Sequence, residues 1–218
     1  MNTYDLIADI YEQTIDHYLY KVYLRLIEKR SAGGAFLEIG CGTAHLAKKC
    51  APMFDTVHAF DASAAMIEKA GQKPVPTNVK LFVHDMARPL DRTYDMIIAP
   101  IDVFNHTPDF ENLRTLFTRW TAHLRKDGHF IFDMLRCDYV KRLPGYAETL
   151  DTPKGVYHWS VKGTTDPRRI IHEISHKKRT ARHEETCYKD EEVRTLFAGF
   201  KLLETIRMEE RVLYVLQK

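Results

Sequence analysis

A chain of 218 residues is long enough for one domain with a full core, and 44% hydrophobic against 28% charged residues is an ordinary globular balance that argues against a disordered, fibrous or membrane-embedded chain. Lys and Arg number 32 against 30 Asp and Glu, so a net charge of +2 gives no bulk attraction to a phosphate backbone or an anionic bilayer. No run of 18 apolar residues occurs, and the first ten residues carry Asp5 and Asp9 instead of a basic start and an apolar stretch, so a cytoplasmic protein is expected.

Before the first strand, apolar residues recur at helical spacing (Ile7, Ile10, Tyr11, Ile15, Tyr18, Leu19, Val22, Leu26, Ile27), which predicts one or two amphipathic helices and a helical cap over residues 1–32. Ser31 to Gly34 breaks the helix, and Ala35 to Gly40 reads as a buried parallel strand. Helix-like and strand-like segments then alternate: Thr43–Cys50 helical, Thr56–Phe60 extended, Ser63–Ala70 helical, Val79–Val83 extended, Tyr94–Ala99 extended, Phe110–Leu124 helical and His129–Leu135 extended after the turn at Lys126-Asp127-Gly128. That alternation predicts an α/β fold with a doubly wound, mostly parallel sheet covered by helices on both faces. Over residues 136–190 the rhythm changes to three short strands without helices (Val156–Val161, Ile170–Ser175 and about Thr180–Tyr188), an antiparallel insertion within one domain of residues 1–218. A helix over about Asp190–Ala198 and strands at Lys201–Ile206 and Arg211–Leu216 finish the chain. Cys41, Cys50, Cys137 and Cys187 form no C-x-x-C pair, and reduced, structural thiols are expected.

The chemistry is concentrated after the first strand. Glu38-Ile39-Gly40-Cys41-Gly42-Thr43-Ala44 is a glycine-rich turn into a helix, where missing Cβ atoms let a ligand touch the backbone. A dinucleotide site would need a third glycine at position 45, where His45 stands, and no Gly-Lys-Ser or Gly-Lys-Thr follows to make a Walker loop. A second strand ends in Asp61, suitably placed to accept both hydroxyls of a ribose.

With these elements in order, the chain resembles the class I S-adenosylmethionine-dependent methyltransferases over most of its length. The matching residues are Leu37 to Thr43, Phe60-Asp61-Ala62-Ser63 with Met66, and Val83-His84-Asp85-Met86. The resemblance implies a seven-stranded Rossmann-like sheet and S-adenosyl-L-methionine as cofactor. Gly40 and Gly42 would pass its methionine part, Asp61 would hold the ribose, and Asp85 with the Met86 backbone would read the adenine. Cofactor contacts are thus expected from Tyr11, Glu38, Gly40, Gly42, Asp61, Ala62, Met66, Asp85, Met86 and Ile101. One departure is Ala44, where the family often has glycine. The segment Tyr94 to His106 is similar to the one that faces the acceptor in small-molecule members, without the Asn-Pro-Pro-Tyr or Asp-Pro-Pro-Tyr signature of base and glutamine methylation. Tyr4 to Tyr11 resembles the amino-terminal cap of amine and sugar methyltransferases, with Tyr11 closing over the cofactor.

The expected reaction is in-line transfer of a methyl group to an amine or hydroxyl of a small molecule, with His106 as the catalytic base where one is needed. A tRNA or protein methyltransferase and a non-catalytic cofactor-binding subunit are the alternatives, and a Rossmann oxidoreductase is disfavoured by the missing glycine. Neither tight nucleic-acid binding nor membrane binding is expected, and a homodimer stays open. His172 and His176 have the spacing of paired helical metal ligands but lie in an extended segment, so no metal is expected. Lys177 to Arg182 reads as a solvated turn, and Cys41 as packing, since methyl transfer from a sulfonium needs no enzyme nucleophile.

Overall fold

The computed structural model describes residues 3–14 and 17–218, so Ile15 of the predicted apolar stripe lies outside the described residues. The helical cap is three short pieces, α1 (Thr3–Ile7), α2 (Tyr11–Thr14) and α3 (His17–Glu28). Then come β1 (Ala35–Ile39), α4 (His45–Cys50), β2 (Thr56–Asp61), α5 (Ala64–Gly71), β3 (Val79–Val83), β4 (Tyr94–Ala99), α6 (Phe110–Ala122) and β5 (Leu124–Leu135). The sheet closes with β10 (Lys201–Arg207) and β11 (Arg211–Gln217), giving seven strands in the order β10-β11-β5-β4-β1-β2-β3. Pairs among β1 to β5 are parallel, while β11 runs antiparallel to both β5 and β10. This is the expected doubly wound, mostly parallel fold of class I methyltransferases.

Period-two burial sorts each strand's side chains to two cores. Leu37, Ile39, Ile97, Phe130 and Phe132 pack with Leu113, Phe117 and Trp120 of α6 on one face. Phe36, Ile98 and Ile131 pack with Leu19, Tyr23 and Ile27 of α3 and Leu46 of α4 on the other. Chain order reverses between β1 and β4, so the carboxyl ends of β1, β2 and β4 open a crevice where a ligand can sit.

The insertion departs from expectation in two ways. It has four strands, β6 (Ala147–Thr152), β7 (Gly155–Gly163), β8 (Arg169–His176) and β9 (Arg179–Thr186), all antiparallel. The unpredicted β6 is an edge strand with Leu150 as its one large apolar residue, so no alternating pattern marks it. In addition, Cys137, on the short helix α7 (Cys137–Val140), and Cys187, just after β9, form a disulfide with Cα atoms 5.2 Å apart. The expectation of four reduced thiols is therefore corrected to two, Cys41 and Cys50. An antiparallel insertion returns the chain to its starting point, which brings together cysteines 50 residues apart. The bond bears on the cytoplasmic expectation, because disulfides persist mainly in oxidising compartments. Among the described residues no helix is long and apolar enough to cross a membrane.

The predicted turn at Lys126 to Gly128 is absorbed into β5 as a bulge, with left-handed Asp127 and a register shift opposite Tyr94 and Met96. A third cluster joins Leu6, Ile7 and Ile10 of the cap to Met66 of α5 and to Tyr157, Ile174 and Ala181 of the insertion, which seats both appendages over the crevice.

Candidate active site

β1 ends in the glycine turn, and its backbone explains the glycines. Gly40 and Gly42 have φ of 67° and 52°. A Cβ on Gly40 would lie 2.5 Å from Val103, and one on Gly42 would lie 2.9 Å from the Tyr11 ring, so the missing side chains leave a cradle under that ring. Ala44, the departure from the family pattern, is left-handed at φ 59°, so the chain keeps the path a glycine would take at a cost of about 1–2 kcal/mol. Glu38 is fully buried and its Oε2 accepts the Ala47 N–H at 2.8 Å, pinning α4 to β1. Burial pushes its carboxyl up to about 8. Its expected cofactor contact is corrected accordingly: Glu38 braces the loop from behind.

Asp61 ends β2, with Oδ2 accepting the Gly42 N–H at 2.8 Å and Oδ1 accepting the Ser63 N–H at 2.8 Å. Burial raises its carboxyl, and these two N–H groups oppose the shift. Ser63 caps α5 and donates its hydroxyl to Asp5 at 2.6 Å, which ties the cap to this motif. After β3, Asp85 Oδ1 accepts the Ala87 N–H at 2.8 Å, and the indole N–H of Trp120 holds the Met86 carbonyl at 3.1 Å.

These pieces line a cavity of about 280 Å³, formed by Ile39, Gly40, Gly42, Phe60, Asp61, Ala62, Asp85, Met86, Ile101 and Tyr11 among others. Eight of the ten expected cofactor residues therefore converge. Met66 is the second correction, since its side chain faces inward to the cap–insertion core. A glycine floor, two acids at the far end and an apolar wall suit an adenosine-type cofactor with a sulfonium.

A second cavity of about 640 Å³ adjoins the first, and Tyr4, Tyr11, Ile101 and His183 line both. Its floor is the loop after β4, where Ile101 and Asp102 are consecutively left-handed at φ 59° and 64°, an outlier for a β-branched residue and a form of strain that collects at functional sites. Buried Asp133 of β5 holds this loop by accepting the Ile101 N–H at 2.6 Å and the Tyr23 hydroxyl at 2.5 Å on Oδ1. Arg211 bridges Asp133 and Asp102. Burial raises the Asp102 carboxyl, with Arg211 restraining the rise.

His106 lies in a single turn of 3-10 helix after β4 and lines the smaller cavity. Its Nδ1 reaches only the Glu184 carbonyl, at 3.3 Å, so the proton belongs there, and Nε2 accepts the Tyr4 hydroxyl at 2.9 Å. Burial holds the imidazole below its ordinary range against the pull of Glu185. Both nitrogens are thus engaged, Nε2 by Tyr4 and Nδ1 by the insertion.

The insertion supplies the opposite wall. His172 and His183 face each other across β8 and β9, rings stacked 4.7 Å apart, with Glu185 two residues further on. Glu185 Oε2 lies 3.2 Å from His172 Nε2 and Oε1 lies 3.4 Å from His183 Nε2. Burial alone would raise Glu185, but the two imidazoles outweigh it and keep the carboxylate well below its usual range. Ligand atoms this close could be read as a metal site. The Trp159 indole N–H, however, donates to His172 Nδ1 at 3.0 Å, which forces the His172 proton onto Nε2, towards Glu185, and leaves no lone pair for a metal. His176, the other histidine of the predicted pair, stacks on Tyr157 at 3.9 Å and takes no part.

A glycine turn and two acids, Asp61 at the end of β2 and Asp85 after β3, around one cavity at the switch point of a mostly parallel sheet are the arrangement of an S-adenosylmethionine-dependent methyltransferase of class I. The comparisons agree: a family model described as a methyltransferase domain matches residues 11–182, and the chain belongs to that family. The malonyl-[acyl-carrier protein] O-methyltransferase of Priestia megaterium is 29% identical over 134 residues, which cover 60% of this chain and only 46% of that protein. Among solved structures, an S-adenosylmethionine-dependent methyltransferase from Clostridium acetobutylicum superposes with a TM-score of 0.78 at 20% identity, covering 97% of this chain and 96% of that one. CalS10, an amino pentose methyltransferase from Micromonospora echinaspora, superposes at 0.72 with 18% identity and the same coverage.

Proposed function

We propose that the protein transfers the methyl group of S-adenosylmethionine to an amine of a small molecule enclosed in the larger cavity. The observation that carries this reading is the charge of that cavity. Asp102, Glu148, Glu185 and Glu210 line it against one cation, Arg211, which is already bonded to Asp102 and Asp133. An excess of carboxylates with Tyr139, Tyr146 and Trp159 among the walls favours an ammonium group, by charge and by cation–π attraction. The same excess disfavours a free carboxylate such as malonyl, because among the described residues no uncommitted cation lines the cavity to receive it.

Methyl transfer from a sulfonium leaves the protein with alignment and exclusion of water as its main tasks, and alignment can supply roughly 7–11 kcal/mol. Tyr4, Tyr11 and Ile101 stand where the cavities meet, with Tyr4 held by His106, so they would frame the line between acceptor atom and methyl group. The amino-terminal cap and the insertion would close over it.

The test is release of S-adenosylhomocysteine from S-adenosylmethionine with ethanolamine, cadaverine, D-glucosamine and D-galactosamine, beside matched alcohols, bulk tRNA and a protein mixture. Turnover confined to amines is expected. Turnover confined to tRNA or protein would discard the reading, and turnover confined to alcohols would move it to hydroxyl transfer.

A further inference from the structure

We propose that His183 is the base that receives the acceptor's proton, with Glu185 as the carboxylate behind it and His172 and Trp159 holding that carboxylate in place. This rests on the small-amine reading above. Four residues line both cavities, and the atom to be methylated has to lie among them. Ile101 carries no proton-accepting group. Burial raises the Tyr4 and Tyr11 hydroxyls, so both stay protonated, and Tyr4 already donates to His106. His183 is the remaining one.

Its proton can be placed by chemistry. Nε2 faces a carboxylate oxygen, which only accepts, so the hydrogen sits on Nε2 and the lone pair on Nδ1. That Nδ1 is buried and has no hydrogen-bond partner among the described residues. An imidazole with its N–H on a carboxylate and a bare nitrogen turned away from it is the arrangement of a general base oriented by a third group. The carboxylate is itself fixed, because the Trp159 N–H on His172 Nδ1 sets the His172 proton on Nε2, where it meets Glu185 Oε2. The titratable groups around His183 are Tyr4 from α1, His106 from the turn after β4, His172 from β8 and Glu185 from β9, with Asp102 close enough to feel the Glu185 charge. The Tyr4 ring packs 5.3 Å from the His183 ring, so an entering acceptor reaches Nδ1 by shifting Tyr4 and with it the amino-terminal cap.

The step balances. An acceptor arriving as R–NH3+ gives one proton to His183 Nδ1, and the freed nitrogen pair forms the bond to the methyl carbon as the carbon–sulfur pair stays on sulfur. His183, now imidazolium beside Glu185, returns the proton to water as the product leaves.

Two readouts test this on the full chain. In protein labelled with 15N-histidine, long-range proton–nitrogen spectra, assigned with His183→Gln, should show His183 as the Nε2–H tautomer, and Glu185→Gln should weaken that tautomer preference. With the panel amine that turns over fastest, His183→Gln should lower kcat/KM about 100-fold. Imidazole should rescue His183→Gly. An Nδ1–H tautomer, or His183→Gln within twofold of wild type, would overturn the assignment. So would activity lost to a chelator and restored by Zn2+, which would make the cluster a metal site. Wild type inert towards every amine would sink the amine reading itself, and the base with it, and is told apart because the unmodified chain then fails.

Discussion

The two adjoining cavities are built in opposite ways. The smaller one takes most of its lining from three short contiguous segments, Leu37–Thr43, Phe60–Ser63 and Val83–Met86, each at the carboxyl end of a parallel strand, and backbone conformation does much of the work there. The larger one gathers Asp102, Tyr139, Trp159, His172, His183, Glu185 and Arg211 from the loop after β4, the insertion and the start of β11. A site made of backbone geometry needs particular residues at fixed spacing; one made of side chains on a variable insertion needs only their meeting in space.

The predictions set one cavity against the other, from the largest expected effect down. Arg211→Met would leave Asp133 and Asp102 buried without their cation, and breaking such a pair costs about 3–5 kcal/mol. Denaturant unfolding should show this loss; a change below about 1 kcal/mol would mean the pair is not what holds the left-handed loop at Ile101. Next, Cys137→Ala with Cys187→Ala opens a 50-residue loop, for which the chain-entropy model gives about 4 kcal/mol at most, and strain in the folded state reduces it. Because the disulfide lies at the base of the insertion, the variant should lose acceptor turnover while keeping its affinity for S-adenosylhomocysteine. Equal losses of both would erase the distinction between the cavities.

Asp61→Ala strikes the other side. Removing a carboxylate that is to hold two ribose hydroxyls should weaken S-adenosylhomocysteine binding by about 1.5–3 kcal/mol, roughly 10- to 150-fold, in calorimetry. Unchanged affinity would show the ribose to be elsewhere. The smallest effect is expected at Ala44→Gly, which releases left-handed strain and gives part of it back as unfolded-chain entropy, for a net gain of about 0.5–1 kcal/mol. A loss of stability there would mean the alanine methyl packs better than its conformation costs.

The same contrast explains what the sequence disclosed. The alternating α/β pattern gave the sheet and its helices, and eight of the ten residues expected to touch the cofactor line one cavity. Glu38 and Met66 failed within those motifs because strand and helix periodicity turn their side chains inward, away from the crevice. β6 escaped notice because an exposed edge strand needs no apolar alternation, and the disulfide because it depends on the insertion's return path. His106 was found from its loop, but its role depended on which atoms meet its two nitrogens. His183 and Glu185, two apart on the strand expected at about Thr180–Tyr188, share a face of it, but their meeting with His172 depends on the register between β8 and β9.

The central claim is that cofactor and acceptor meet where Tyr4, Tyr11, Ile101 and His183 converge. A crystal structure with S-adenosylhomocysteine tests it most directly. The account predicts the adenosine between Asp61 and Asp85 in the smaller cavity, with the sulfur pointing through that four-residue junction at the carboxylate-lined space beyond. A sulfur turned towards open solvent, or an adenosine seated in the larger cavity, would contradict it.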